Sequence, residues 1–151
     1  MQKVVDFAFP ADPARSALAL VLVVDDDETV RRVTQSLVES MGYEVIAASD
    51  GIEGLALFRE HRARIHGVIL DLTMPRMDGA VLFREMQRIQ PDVRVLLMSG
   101  FAEQQALARF AGEGLAGFIR KPFAREALRT KLDAVLQGAG APPGNVIPMR
   151  A

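Results

Sequence analysis

At 151 residues, half of them hydrophobic, the chain has the length of one domain and the material for a sizeable core, which argues against disorder over most of it. The net charge is -1 with acids and bases interspersed, so no basic stripe tracks a nucleic-acid backbone, and the absence of cysteine removes disulfide frameworks and thiolate metal sites. The longest apolar run, residues 17–24, is too short to span a bilayer and the N-terminus carries no basic-then-apolar leader, so a soluble, cytoplasmic chain without membrane contact is expected.

In residues 1–16, Val5, Phe7 and Phe9 alternate with Asp6 and Ala8 before Pro10 and Pro13, which reads as a linker or a short edge strand. The compact domain then runs from 17 to 137. Residues 17–24 are apolar without alternation, the pattern of a strand buried on both faces. After Asp25-Asp26-Asp27 a helix follows with Val30, Val33, Leu37 and Met41 on one face, and Gly42 stops it. Residues 43–48 form a second strand, and Gly51–His61 a helix with Leu55 and Phe58 inward. Residues 67–70 are the third strand, ending abruptly at Asp71, after which Met74-Pro75 and Asp78-Gly79 turn the chain. The helix Gly79–Ile89 points Leu82, Phe83, Met86 and Ile89 inward, and Pro91 ends it. Residues 93–98 form a strand, 101–112 an alanine-rich helix, 117–119 a short strand and 123–137 a last helix with Leu128, Leu132, Val135 and Leu136 inward. From Gly138 the composition is that of a flexible tail. Strict β–α alternation with continuous apolar strands implies a parallel sheet covered on both faces, a doubly wound α/β fold.

Ligands bind outside the carboxyl ends of such strands. Strand one is followed by Asp25, Asp26 and Asp27, strand three by Asp71, strand four by Ser99, and strand five leads through Arg120 to Lys121-Pro122. Clustered carboxylates repel one another and either raise a pKa or bind a cation. With oxygen ligands and no nearby histidine or cysteine, the cation should be hard: Mg2+ first, with Mn2+ or Ca2+ as alternatives. Lys121 and the Ser99 hydroxyl suit phosphate oxygens, and a nucleophile, a metal and a cation are what phosphoryl transfer to a carboxylate needs.

Val-Leu-Val-Val-Asp25-Asp26-Asp27, Val-Ile-Leu-Asp71-Leu-Thr-Met-Pro75-Arg-Met-Asp-Gly79, Leu-Leu-Met-Ser99-Gly100 and Phe118-Ile-Arg-Lys121-Pro122-Phe123 together closely resemble the receiver domains of two-component response regulators, over about residues 19–137. The resemblance implies a flavodoxin-like (βα)5 sheet of order 2-1-3-4-5, with Asp71 as phosphoacceptor. It also implies Mg2+ held by Asp25, Asp26, Asp71 and the Thr73 carbonyl, and Lys121 on the acyl phosphate. Ser99 and Phe118 become a switch pair, and the Lys121–Pro122 bond is expected cis. The phosphodonor would be a histidine kinase or a histidine phosphotransfer protein. The responding surface would be the face formed by residues 101–137, meeting a downstream protein target; a weak homodimer stays open. Such a domain is no enzyme in the ordinary sense, since it catalyses only its own phosphorylation and dephosphorylation.

Plainer readings stand beside these. The acidic run can simply cap a helix, Ser99 can be a turn residue, Lys121 a solvated amine and Phe118 a core aromatic. Asp27 lies where the family varies and reads as a helix start. Phe101 stands two positions past Ser99, where no acid or amide can position an attacking water, so a long-lived acyl phosphate is expected. The Met98-Ser99-Gly100-Phe101 segment looks like receivers fused to sensor kinases, which favours a hybrid-kinase origin. The alternatives are a phospho-independent interaction module with the same fold and, more remotely, an aspartyl phosphatase; the latter needs a second carboxylate where Thr73 stands.

Overall fold

The structure, a computed structural model, describes residues 19–72, 79–100 and 117–137. Five parallel strands are ordered β2-β1-β3-β4-β5, with β1 Leu20–Val24, β2 Glu44–Ala48, β3 Ile65–Asp71, β4 Val95–Ser99 and β5 Gly117–Arg120. Among the described residues four helices accompany them: α1 Glu28–Ser40, α2 Gly51–His61, α3 Gly79–Ile89 and α4 Arg125–Gln137. This is the doubly wound order expected from the alternation and the resemblance. The anticipated segments at 1–16, 101–112 and beyond 137 lie outside the described residues.

Period-two alternation splits the strands between two cores. Leu20, Leu22, Val24, Val68, Leu70, Val95, Leu97 and Phe118 face α2 and α3, where Leu55, Phe58, Leu82, Phe83 and Met86 meet them. Val21, Val23, Ile69, Leu96, Met98 and Ile119 face the other way, onto Val38 of α1 and Leu128, Leu132 and Val135 of α4. Every residue of β1 is buried, which is why that strand shows no polar alternation in the sequence.

Local chemistry sets the helix ends. Asp27 accepts from the Val30 amide at 3.0 Å to start α1, and Gly42, at φ +100°, ends its turn in the left-handed region glycine favours. Asp50 starts α2 by accepting from the Glu53 amide at 2.8 Å, while Glu53 reaches back to the Ser49 amide. One expectation is corrected in α1. Val33 points out, half exposed, whereas Thr34 and Val38 are buried, with Leu37 and Met41 partly so. The helix is rotated so that Thr34 and Val38, not Val33, face the sheet. Strand ends also move: β1 begins at Leu20, β3 runs from Ile65 through Asp71, and β4 spans Val95–Ser99.

Candidate functional site

The site lies along the carboxyl edge of the sheet, where the strand ends bring distant residues together. Asp71 is the last residue of β3, pairs in register with Met98, and is buried although charged. Asp25 follows β1; its amide donates to the Ala48 carbonyl at 3.2 Å, and its Oδ1 accepts from the Asp27 amide at 2.9 Å. Asp26 is exposed beside it. Ligand atoms from Asp25, Asp26 and Asp71 all lie within 4.8 Å of one another. Lys121, placed just past β5 by its amide bond to the Ser99 carbonyl at 2.8 Å, brings Nζ to 3.1 Å from Asp25 Oδ2 and 3.3 Å from Asp71 Oδ1. The Lys121–Pro122 bond is cis.

The electrostatics follow from that crowding. Burial, and then the Asp25 charge, push the Asp71 carboxyl from 3.8 up to about 6, against the opposing pull of Lys121. Burial alone would lower the Lys121 pKa, but the Asp71 and Asp25 carboxylates outweigh it and hold the ammonium charged. Asp25 Oδ2 is buried and meets Lys121 as an ion pair; among the described residues it has no aligned hydrogen-bond donor. Three carboxylates against one ammonium leave excess negative charge, and an oxygen-only donor set with an under-satisfied oxygen suits a hard divalent cation.

Of the residues singled out from the sequence, Asp25, Asp26, Asp71 and Lys121 converge. Ser99 closes β4, buried and in register with Arg120, and Phe118 sits in the α2–α3 core opposite Leu97. Thr73 and Phe101 lie outside the described residues. Lys121 is not a freely solvated amine, and of the acidic run it is Asp27 whose side chain caps α1.

Two contributors were not singled out from the sequence as residues of the site. Arg31, a turn into α1, donates from a guanidinium nitrogen to the Asp25 carbonyl at 2.9 Å and ties the turn between β1 and α1 to the helix. Gly79 packs against the backbone of Asp71: a Cβ there would lie 2.5 Å from the Asp71 carbonyl oxygen, and its amide donates to the Leu72 carbonyl at 2.8 Å. Arg31 reads as one more outer-face base, Gly79 as one more turn glycine.

A five-stranded doubly wound sheet whose carboxyl edge carries an acidic, lysine-bridged pocket defines a class: a doubly wound α/β domain with a carboxylate cluster at its ligand-binding edge. The chain belongs to the response regulator receiver domain family, whose sequence model matches residues 21–133. It is 34% identical over 122 residues to the sensor kinase CckA of Brucella abortus, covering 81% of this chain and 13% of that protein. Among solved structures it is similar to a response regulator receiver domain protein of Clostridium thermocellum, with TM-score 0.76 and 31% identity, covering 81% of this chain and 97% of that one. It is also similar to a chain of the CheX–CheY–BeF3–Mg2+ complex of Borrelia burgdorferi, with TM-score 0.71 and 32% identity over 78% of this chain and 88% of that one. The chain spans half or less of the length of the curated relatives it matches first. It is therefore a receiver domain of two-component signalling, a family that binds Mg2+ at an acidic pocket and works with histidine kinases and downstream targets. No helix among the described residues is long and apolar enough to cross a membrane.

Proposed function

We propose that this domain accepts a phosphoryl group on Asp71 from a phosphohistidine of a kinase or phosphotransfer protein and uses the resulting charge to switch a protein-binding face. The observation that carries the reading is the Lys121 ammonium bridging Asp25 at 3.1 Å and Asp71 at 3.3 Å inside a three-carboxylate cluster. In the transfer, an Asp71 carboxylate oxygen attacks phosphorus in line. The bond from phosphorus to the donor imidazole nitrogen breaks, and its electron pair stays on the imidazole. With its pKa near 6, Asp71 is mostly ionised, hence nucleophilic, at neutral pH.

Asp25 and Asp26, with Asp71 and the Thr73 carbonyl, would hold Mg2+. Bound there, the ion supplies neutralisation of phosphoryl charge. Lys121 stays within reach of the acceptor oxygen and follows the incoming charge as a point cation. Arg31 keeps the Asp25 turn in place from behind. Ser99, whose carbonyl already fixes Lys121, offers its hydroxyl to the phosphoryl group, and Phe118 in the neighbouring strand, already inward in the α2–α3 core, is the switch partner that packs behind it. The responding surface comprises residues 101–137. The BeF3 and Mg2+ of the similar Borrelia complex, and the match to a sensor kinase, support this chemistry and a hybrid-kinase parent. With Phe101 two positions past Ser99, the acyl phosphate should be long-lived; a hydrolysis half-life of seconds in the pure protein would contradict that.

The test is intact mass after incubation with acetyl phosphate and Mg2+. A gain of one phosphoryl mass, absent in Asp71→Asn and in EDTA, is expected. No gain, together with no spectral response to beryllofluoride, would move the protein to the phospho-independent class.

A further inference from the structure

Asp26 is the exposed member of the acidic cluster, and among the described residues no hydrogen bond or ion pair holds its carboxylate. The other two acids are fixed. Asp71 is locked by its register in β3. Asp25 is held by its amide on Ala48, its Oδ1 on the Asp27 amide and its Oδ2 against Lys121. Asp26 therefore owes its place within 4.8 Å of both to the direction of its own backbone. The peptide on its C-terminal side is gripped at 2.9 Å by Asp25 Oδ1. The peptide on its N-terminal side has one partner among the described residues, the Arg31 guanidinium at 2.9 Å from the Asp25 carbonyl oxygen. Arg31 is itself anchored in α1, where its amide donates to the Asp27 carbonyl at 2.8 Å. A guanidinium suits the task because its planar donors fix a direction, whereas an ammonium is a point charge.

We infer that Arg31 is a positioning residue that sets the Asp25–Asp26 peptide plane and thereby makes the cluster prefer Mg2+ to larger divalent cations such as Ca2+. The inference rests on the reading above that these carboxylates hold Mg2+, and it deepens that reading. Mg2+ demands near-ideal octahedral geometry at about 2.0–2.1 Å, whereas Ca2+ accepts roughly six to eight oxygens at about 2.3–2.6 Å in looser arrangements. A freed peptide plane lets the Asp26 carboxylate drift, and that drift costs the small ion more than the large one. Charge alone predicts the opposite sign. Arg31 is a cation beside a cation site, so if it acted through its field, removing it would strengthen the binding of both ions. The direction of the change therefore separates positioning from electrostatics.

The experiment titrates the metal-free full chain with Mg2+ and with Ca2+ by calorimetry, in the parent, Arg31→Ala and Arg31→Lys. Arg31 is partly exposed on a helix, so all three should fold, which far-UV circular dichroism checks. Arg31→Ala should weaken Mg2+ binding roughly tenfold or more and Ca2+ binding about threefold or less. Arg31→Lys keeps the charge without the planar fork and should recover part of the Mg2+ loss. Absence of Mg2+ binding in the parent, unchanged or tighter binding of both ions in Arg31→Ala, or an equal loss of both would overturn the inference. If Arg31→Ala does not fold, Arg31→Lys decides: a larger loss for Mg2+ than for Ca2+ supports positioning, and no difference overturns it. The mass gain on Asp71 is read separately. If it fails while Mg2+ and Ca2+ still part company at Arg31, positioning stands and the phosphorylation reading falls. If it succeeds while the two ions respond alike, positioning falls alone.

Discussion

At the amino edge of the sheet, Arg64 meets Glu44, Arg88 meets Glu85 at 3.2 Å and His61 lies 3.7 Å from Glu60, with every pair reaching solvent. At the carboxyl edge, Asp25 and Asp71 are buried side by side, Asp26 stands beside them, and one ammonium serves the cluster. The first arrangement is what solubility asks of a surface: opposite charges, exposed and individually worth little. The second works against folding, since like charges taken out of water raise each other's energy. The same strands support both, so packing cannot be the reason for the difference. The carboxyl edge keeps an electrostatic deficit that a divalent cation or a phosphoryl group with its counter-ions would relieve.

Removing the single cation should separate the edges most sharply. Lys121→Met should cost the metal-free protein about 3 kcal/mol at mildly alkaline pH, read from chemical denaturation. A loss no larger than that of Arg64→Ala, at most ~1 kcal/mol, would place Lys121 with the exposed pairs. Backbone crowding comes next. Gly79→Ala forces a Cβ to 2.5 Å from the Asp71 carbonyl oxygen and should cost roughly 1–3 kcal/mol while also slowing phosphoryl uptake. Gly42→Ala, which meets no neighbour within 4 Å but sits at φ +100°, should cost about 1–2 kcal/mol and leave uptake unchanged. Equal uptake in the two variants would remove Gly79 from the site.

Asp25→Asn should act with the opposite sign. It relieves a buried like charge, so the metal-free protein should gain about 1 kcal/mol while losing Mg2+ affinity, the usual opposition of stability and function. Asp71 should then titrate below its present value of about 6 but above 3.8, because burial, the larger cause, remains. In the parent, the folded state holds the Asp71 proton more tightly than the unfolded chain does. Asp71's contribution to stability is therefore fully present below pH 3.8 and is lost as pH rises through about 6. Carboxyl NMR in metal-free buffer measures this, and an Asp71 pKa unmoved by Asp25→Asn would refute the coupling.

Much of this was legible in the sequence, for reasons that can be named. The cluster of Asp25, Asp26, Asp71 and Lys121 follows once continuous apolar runs are taken as parallel strands, because ligands then gather where the strands end. Helix α2 matched its expected bounds because Asp50 and Glu53 cap it recognisably, and α3 because Gly79 and Pro91 bracket it. Helix α1 was read with the wrong phase. Its apolar residues spread over an arc of roughly 140° with no sharp centre, and the buried hydroxyl of Thr34 does not look like core in a pattern of hydrophobicity. Arg31 and Gly79 were invisible as site residues because their contributions are to backbone carbonyls, which no side-chain pattern records.

The smallest effect is expected at the amino edge, where Tyr43 donates its hydroxyl to Asp133 Oδ1 of α4 at 2.9 Å. Burial first, then the hydrogen bond and the Asp133 charge, push the phenol from 10.0 up to about 12, with Arg129 opposing. Folding therefore keeps the phenol protonated where the unfolded chain would release it. The contribution is fully present below pH 10.0 and disappears as pH climbs through about 12. Tyr43→Phe should cost roughly 0.5–1.5 kcal/mol at neutral pH and leave Asp71 phosphorylation untouched, because nothing in the acidic pocket contacts this pair. Since Tyr43 is the sole tyrosine and tryptophan is absent, tyrosinate absorbance follows it without interference. Asp133→Asn should bring the midpoint down only part of the way to 10.0, because burial persists. An unshifted tyrosine in the parent would place the Tyr43–Asp133 pair with the solvent-reaching contacts of the amino edge and widen the contrast with the buried carboxylates.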